Sequence, residues 1–243
     1  MVCLPQSLID ESQQVKALAT TNRPDRRPGG PAMKVAIIGA GNVGKALSSS
    51  FTGAGHDVTI SAKHPDHARQ AATELGARAA RTNREAVADA DLVVLAVPVT
   101  ALETVAQEIG PDLAGKTVVD VSNRPTPDPA GPGTSIAEEL QDRLPNTSVV
   151  KAFNTLFASR QADPVVGGHP VDGFVAGDDP AAKERVIDAL EGMGFRPVDA
   201  GPLAAARTLE GMAWLNISRN MSGGTWQDAF VLVGPDDDHV SAN

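Results

Sequence analysis

The chain of 243 residues has no tyrosine, a single cysteine (Cys3) and an aromatic content of only 3%. One cysteine excludes an intrachain disulfide and a cysteine-based metal cluster, and cysteine poverty fits a reducing cytoplasm. With so few aromatics, the core must be built mainly from Ala, Val, Leu and Ile. Cations are also scarce: Lys and Arg number 21 against 30 Asp and Glu, a formal net charge of −9. Nucleic-acid binders need clustered Lys and Arg to neutralise phosphates, so that partner class is not expected. A local basic pocket for a phosphorylated cofactor remains compatible with this balance. No apolar run reaches the ~18–20 residues of a membrane span. Residues 1–32 hold no continuous apolar segment of signal-peptide type. A cytoplasmic protein with no membrane partner is the expectation.

Acid–base machinery is missing too. The histidines are His56, His64, His67, His169 and His239. None falls into a Ser/His/Asp or Cys/His arrangement, and no H-E-x-x-H or similar metal spacing occurs. No catalytic side chain and no metal site are therefore assigned. Of the five, only His169 is a candidate for a place near a ligand, and a loop role suits it better.

What is present begins at Met33. The run Met33-Lys34-Val35-Ala36-Ile37-Ile38 reads as a strand that enters Gly39-Ala40-Gly41-Asn42-Val43-Gly44, and Lys45-Ala46-Leu47 leaves it as a helix. This is the dinucleotide fingerprint G-x-G-x-x-G in its strand–turn–helix context. Gly39 allows the sharp turn, Gly41 lets a pyrophosphate approach the backbone, and Gly44 lets the helix pack on the strand. Free N–H groups at the helix start face the phosphate charge. A tight strand–helix turn without a ligand is the plain alternative.

Strands and helices then alternate. Strands are expected over Asp57 to Ser61, Ala77 to Ala80, Asp91 to Val97, Lys116 to Val121 and Ser148 to Phe153, and later over Val171 to Ala176 and Phe195 to Val198. Helices are expected over Asp66 to Leu75, Asn83 to Ala88, Ala101 to Ile109 and Pro180 to Glu191, with one long helix over Leu203 to Met221. The fully apolar run at 91–97 is of the type buried on both faces of a parallel sheet. The pattern predicts an α/β fold, a Rossmann-type doubly wound parallel sheet with a small C-terminal α/β-plus-helix extension. Residues 1–32, with a short helix over Ser7 to Leu18 and a loose Arg/Pro/Gly-rich linker from Thr20 to Pro31, read as a flexible N-terminal extension. Because the fingerprint strand of this fold usually lies within a few residues of the N-terminus, Met33 is the expected true start, with residues 1–32 an upstream extension. Residues 33–155 form the expected NADP-binding domain. Residues 156–243 are expected to complete the sheet, and the resemblance described below assigns them the second-substrate and dimer region. The Pro/Gly-rich stretch from Pro125 to Gly133 reads as a lid or a passive connection. Val231 to Val233 is a short apolar patch, and Asp236-Asp237-Asp238 is a solvated acidic tail.

The tip of the second strand selects the dinucleotide. NAD binders usually place an acid about 20 residues past the first glycine. Here Val58-Thr59-Ile60 runs into Ser61-Ala62-Lys63, with Asp57 at the far end of the strand and Asp66 beyond Pro65. A hydroxyl and a lysine suit a 2′-phosphate, so NADP is expected, unless these are ordinary surface residues. Ligands sit outside the carboxyl ends of such strands. Those ends carry Ala96-Val97-Pro98, Ser122-Asn123 and Ala152-Phe153-Asn154-Thr155. Small apolar groups suit ribose and nicotinamide, and Asn123 and Asn154 offer amide hydrogen bonds. Hydride transfer between two bound rings needs proximity and exclusion of water more than a strong base. The missing acid–base cluster is therefore compatible with a redox enzyme whose second partner is also a cofactor, and equally with a non-catalytic NADP sensor.

Several stretches carry a resemblance. They are the fingerprint at 39–44, Ala96-Val97-Pro98, Lys151-Ala152-Phe153-Asn154-Thr155, Ala176-Gly177-Asp178-Asp179 and, most specifically, Gly194-Phe195-Arg196-Pro197-Val198-Asp199-Ala200-Gly201-Pro202-Leu203. From about Met33 to Val233 the chain resembles the NADP oxidoreductases dependent on coenzyme F420, a deazaflavin. The NADPH-binding domains of membrane ferric reductases share the pattern. The resemblance implies hydride exchange between C4 of the nicotinamide and C5 of the deazaflavin, with the rings stacked between the sheet and the C-terminal segment of a homodimer. It also implies that Ala40 to Val43 hold the pyrophosphate, Ser61 and Lys63 the 2′-phosphate, and that Val97 and Pro98 lie near the adenosine–nicotinamide path. Residues 152–158 would line the redox centre. Phe157 stands where that family commonly has a small residue or proline, and Ser222-Gly223-Gly224-Thr225-Trp226-Gln227 differs from its usual C-terminus. The expected function is an NADPH-dependent oxidoreductase acting on coenzyme F420. A non-catalytic NADP sensor, or an NADPH reductase of flavin or ferric chelates, is the alternative.

Overall fold

The computed structural model describes residues 30–124 and 133–233. The expectations for Ser7 to Leu18, most of the linker that follows, the stretch 125–132 and the acidic tail lie outside the described residues.

The first half alternates as expected. Strand β1 (Lys34–Ile38) leads through the glycine turn into helix α1 (Asn42–Gly53). Then follow β2 (Asp57–Ser61), α2 (Pro65–Leu75), β3 (Arg78–Ala79), α3 (Asn83–Val87) and β4 (Leu92–Leu95). Pro65 opens α2, where a missing N–H costs nothing, and Gly76 closes it at φ 69°, a left-handed stop that glycine adopts freely. The next elements are α4 (Val99–Ile109), β5 (Thr117–Asp120), α5 (Ile136–Arg143) and β6 (Ser148–Ala152). These six strands run parallel in the order β3-β2-β1-β4-β5-β6. The order reverses at β1, between β2 and β4, which is the switch point where this fold binds ligands.

Alternate residues of each strand feed two cores. Val35 and Ile37 pack with Leu47, Phe51, Val186 and Leu190 on one face. Ala36 and Ile38 pack with Leu102, Ile109 and Leu140 on the other. Helices cover both faces, which is why the strands read as continuous apolar runs.

The second half departs from a fully parallel sheet. After β6 come α6 (Ala158–Ala162) and a small hairpin of β7 (Val165–Val166) and β8 (His169–Pro170). Strand β9 (Asp172–Gly177) then joins β6 antiparallel, with Lys151 opposite Ala176. A parallel connection needs a crossover that returns the chain to the amino edge. Five helical residues span only about 7.5 Å, so the chain stays at the carboxyl edge and β9 starts there. Helix α7 (Pro180–Met193), capped by Asp179 Oδ1 accepting from the Ala182 N–H at 2.8 Å, then crosses to β10 (Arg196–Gly201), parallel to β9.

The long helix expected over Leu203 to Met221 is shorter. A 3-10 turn, Leu203–Ala205, precedes α8 (Ala206–Met221). The Leu203 N–H donates to Asp178 Oδ1 at 2.8 Å, and the Ala205 N–H to the Pro202 carbonyl at 2.9 Å. These bonds hold a tighter turn than an α-helix allows.

Helix α8 is clasped to α5. Arg207 Nε and Nη2 donate to Glu138 Oε2 and Oε1 at 2.8 and 2.6 Å. Those bonds, aided by the N–H and hydroxyl of Ser135 and opposed by partial burial, lower the Glu138 pKa from near 4.5 to about 2. A depressed carboxyl contributes stability that is complete above its unfolded value and is lost as pH falls through its folded one. The stability gap between wild type and Arg207→Gln, followed by urea unfolding, is expected to narrow between about pH 4.5 and pH 2 and to stay constant above that window.

Candidate functional site

The three glycines of the turn do different work. Gly39 sits at φ +119°, and a Cβ there would lie 2.2 Å from the Ala96 carbonyl oxygen. A Cβ on Gly44 would lie 1.9 Å from the Gly39 carbonyl oxygen. The turn itself requires both. Gly41 is different. Its φ of −77° and ψ of −174° suit any residue, it is exposed, and no atom lies within 4 Å of where its Cβ would be. The protein gives no steric reason for glycine at 41. Its backbone is open to approach from outside.

Gly41 is also the N-cap of α1, with no side-chain cap and no acid in the first turn. The first helical bond runs from the Lys45 N–H to the Gly41 carbonyl at 2.9 Å. The N–H groups of Asn42, Val43 and Gly44 precede it, at the positive end of the helix dipole. An anion fits there.

Carboxyl ends of the central strands form one row beside this turn. The Gly39 N–H donates to the Ser61 carbonyl at 2.9 Å, and the Ala96 N–H to the Ile38 carbonyl at 2.8 Å. Ala40, Ala96 and Val97 are half-buried, and Pro98, exposed, caps α4. Asn123 and Asn154 continue the row and bind each other. Asn123 Nδ2 donates to the Asn154 carbonyl at 2.8 Å, and Asn154 Nδ2 to Asn123 Oδ1 at 2.9 Å. Asn154 Nδ2 also reaches the Leu209 carbonyl of α8 at 3.0 Å. Its Oδ1 is buried and has no protein partner. An orphaned acceptor of this kind calls for a donor from outside the chain. Phe153 makes the turn from β6 into Asn154 at φ +62°, an uncommon conformation for a bulky residue. Edge-on contacts with Phe51 and Phe195, each at 6.1 Å, hold it there.

At the tip of β2 the expected residues separate. Ser61 is fully buried, and its hydroxyl donates to Asn83 Oδ1 at 2.8 Å. Its only donor is thus committed inward, because Ser61 lies on the face that α3 covers. Ala62 is half-buried, while Lys63 is exposed and makes no ion pair among the described residues. Neighbouring acids are engaged elsewhere, Asp57 with Arg78 at the opposite edge and Asp66 with Arg69 in the first turn of α2. The fold adds Arg81, which the sequence alone did not single out. The Ala80 N–H bonds the Ile60 carbonyl at 2.9 Å and Asn83 meets Ser61, so the chain between them passes the tip. The Arg81 side chain is exposed.

A second missed group lies beneath the Asn pair. Lys151, fully buried, donates to Asp120 Oδ2 at 2.9 Å, to the Ser122 carbonyl at 2.6 Å and to Glu210 Oε1 of α8 at 2.9 Å. Asp120 and Lys151 stand at matching register on β5 and β6. Two opposite charges ending two apolar strands are the signal that was there to read.

His169 lies on the hairpin rather than in the row. His56 lies at the amino edge, where its Nδ1 accepts from the Met33 N–H at 3.1 Å and burial lowers its pKa. Two shallow depressions, lined in part by Lys34, Thr59 and Arg78 and by Ala106, Pro111 and Asn146, also lie at the amino edge, away from the row.

Comparison with known proteins gives the family. The family "NADP oxidoreductase coenzyme F420-dependent" matches residues 34–124, from β1 through the end of β5. The F420-dependent NADP reductase of Methanothermobacter thermautotrophicus is 30% identical over 212 residues, covering 78% of this chain and 90% of that one. The chain belongs to this family. The family is one of NADP-dependent oxidoreductases. A crystal structure from Arthrobacter sp. FB24, described provisionally as an F420-dependent NADP reductase, superposes with a TM-score of 0.76 at 29% identity, covering 84% of this chain and all of that one. The metalloreductase STEAP3 of Rattus norvegicus is 33% identical over 180 residues. There the match takes in 74% of this chain but only 36% of the relative, so the chain spans about a third of that protein's length. Among the described residues no helix is long and apolar enough to cross a membrane, and no group of His, Cys, Asp and Glu could hold a metal ion.

Proposed function

We propose that this family member binds NADP(H) along the row of carboxyl ends and exchanges a hydride with a deazaflavin of the coenzyme F420 type. Gly41 carries the reading: nothing in the protein fills the space beside it, and it stands at a helix start with no side-chain cap and no acid in its first turn. In this reading residues 39–44 hold the pyrophosphate against the start of α1, and Lys63 and Arg81 receive the 2′-phosphate. Ser61 holds the tip in place through Asn83. Ala96, Val97 and Pro98 flank the path of the cofactor. Asn123 and Asn154 bound its nicotinamide end, where the unpaired Asn154 Oδ1 suits the two N–H donors of a carboxamide. Ala152, also expected there, is fully buried in the core. When both are bound, NADPH supplies the hydride from C4 and the deazaflavin receives it at C5. The chain's part is to orient the two rings and keep water out, which needs no strong base.

Residues 33–155 then act as the cofactor domain. Residues 156–243 complete the sheet and form the second-substrate region. Exposed Leu215, Met221, Leu232 and Val233 support a homodimer. A cytoplasmic location would suit these soluble cofactors.

The test combines NADPH with oxidised coenzyme F420, with FMN and with ferric chelates. NADPH oxidation with the deazaflavin supports the reading. The similarity to a metalloreductase favours a second reading, a flavin or ferric-chelate reductase, which oxidation by those acceptors alone would support. Tight NADPH binding without oxidation by any acceptor would identify a sensor. Lys63→Glu is expected to raise the NADPH KM by about tenfold, or about 1.4 kcal/mol, and to move the NADH KM little. Equal effects on both cofactors would remove the phosphate assignment.

A further inference from the structure

Trp226 is poorly accounted for by packing. The chain has six Phe, two Trp and no Tyr, and Trp226 is the exposed member of these eight, with 46% of its surface open. It also adopts φ +58°, a left-handed conformation that bulky residues rarely take. Such strain persists only where the surroundings impose it, and it gathers at ligand sites.

Here the surroundings impose it strongly. The Trp226 N–H donates to Asn220 Oδ1 at 2.6 Å, and its carbonyl accepts from Ser159 Oγ at 2.8 Å. Asn220, buried on α8, also donates to the Asn216 carbonyl at 2.9 Å and to Asp228 Oδ2 at 3.0 Å. Asn216 Nδ2 donates to the Asp228 carbonyl at 3.2 Å. Gly224 permits the close pass, because a Cβ there would lie 2.3 Å from Asn220 Oδ1. The segment after α8 is thus a strap fixed by buried amides, and its product is an indole held in the open.

That indole meets an aromatic ring that follows the Asn pair closely in the chain. Phe157, at the N-terminus of α6 and just past Asn154, meets Trp226 edge-to-face at 5.2 Å and 67°. An edge-to-face contact covers one face of one ring at most, which leaves aromatic surface for a planar ligand. Indole stacks well on flat, electron-poor heterocycles.

We propose that Trp226, braced by Phe157, is the stacking wall for the hydride acceptor, and that the acceptor is accordingly a planar fused-ring cofactor rather than a metal chelate. This rests on the hydride-transfer reading above. It makes Trp226 a specificity-determining residue that acts on the acceptor and leaves NADPH alone.

The experiment uses the full chain with coenzyme F420 and FMN as probes. Trp226→Ala is expected to raise the KM of the acceptor about tenfold, Trp226→Phe to recover most of that loss, and the NADPH dissociation constant and the sedimentation coefficient to stay unchanged. In a Trp214→Phe background Trp226 is the sole tryptophan, and its fluorescence is expected to fall saturably as either probe is added. If the acceptor is reduced while its KM is indifferent to Trp226→Ala and the emission does not respond, the stacking wall is wrong and the hydride-transfer reading stands. Saturable quenching without any hydride transfer would uphold the wall and overturn that reading. A change in sedimentation with an unchanged acceptor KM would overturn the wall and assign Trp226 to a contact between copies. Turnover of a ferric chelate with no binding of either ring would overturn it as well.

Discussion

Gly41→Asp is expected to weaken NADPH binding by about 100-fold or more, about 2.8 kcal/mol, while the melting temperature holds or rises. The two effects have opposite signs for separate reasons. Asp is among the best N-cap residues, and its charge is favourable at a helix start. Its Cβ clashes with no atom of the protein, since a Cβ at 41 has nothing within 4 Å. The same carboxylate would occupy and repel the position of a pyrophosphate. Gly44→Ala is the control. Its Cβ would press into the Gly39 carbonyl at 1.9 Å, so stability and binding should fall together. Calorimetric titration with NADPH and thermal unfolding of both variants separate a ligand's glycine from the fold's glycine. If Gly41→Asp binds NADPH normally, the phosphate does not sit at this turn.

Lys151→Met is expected to destabilise the protein by about 3–5 kcal/mol. The ammonium is fully enclosed with Asp120, and Glu210 is nearly so. Deleting this cation strands the buried Asp120 carboxylate and leaves Glu210 with only Arg124, 4.0 Å away, so the cost is mostly that of abandoned charge. Replacing all three, Lys151→Met with Asp120→Asn and Glu210→Gln, should recover much of the loss in urea unfolding. Glu210 also accepts from the Ile136 N–H at 2.8 Å, so the cluster ties α8 to both β6 and the start of α5. Helix α8 in turn presents the Leu209 carbonyl to Asn154. A milder variant, Glu210→Gln, keeps a neutral acceptor for both donors and is expected to lose less stability than Lys151→Met. If the triple variant is no more stable than Lys151→Met, the penalty does not come from unpaired charge.

The parts of the molecule governed by local periodicity were legible in the sequence. The parallel strands, the glycine turn and the acid-free tip at Ser61-Ala62-Lys63 all follow from short patterns whose physics is local. Helix α5 was also within reach, because Ser135 and Glu138 form a capping box whose spacing is visible in the chain. The direction of β9 was not. It depends on where the chain stands when α6 ends, and no residue pattern within β9 carries that information. Ser61 illustrates a similar limit. Its place at the tip could be read, but not that α3 would offer Asn83 to its hydroxyl. Arg81 and Trp226, proposed for the site, are placed by long-range contacts, by way of β2 and α8 respectively. The parts proposed for them rest on the assembled sheet and on no local pattern.

The most direct measurement follows the hydride itself. NADPH carrying deuterium at C4, prepared as each of its two stereoisomers, would be mixed with the protein and oxidised coenzyme F420, and the reduced deazaflavin analysed by mass spectrometry. Retention of one deuterium at C5 from one stereoisomer alone is the predicted result, because two rings held face to face exchange hydride without passing it to water. Unlabelled reduced deazaflavin, or no reduction while NADPH is bound, would contradict it.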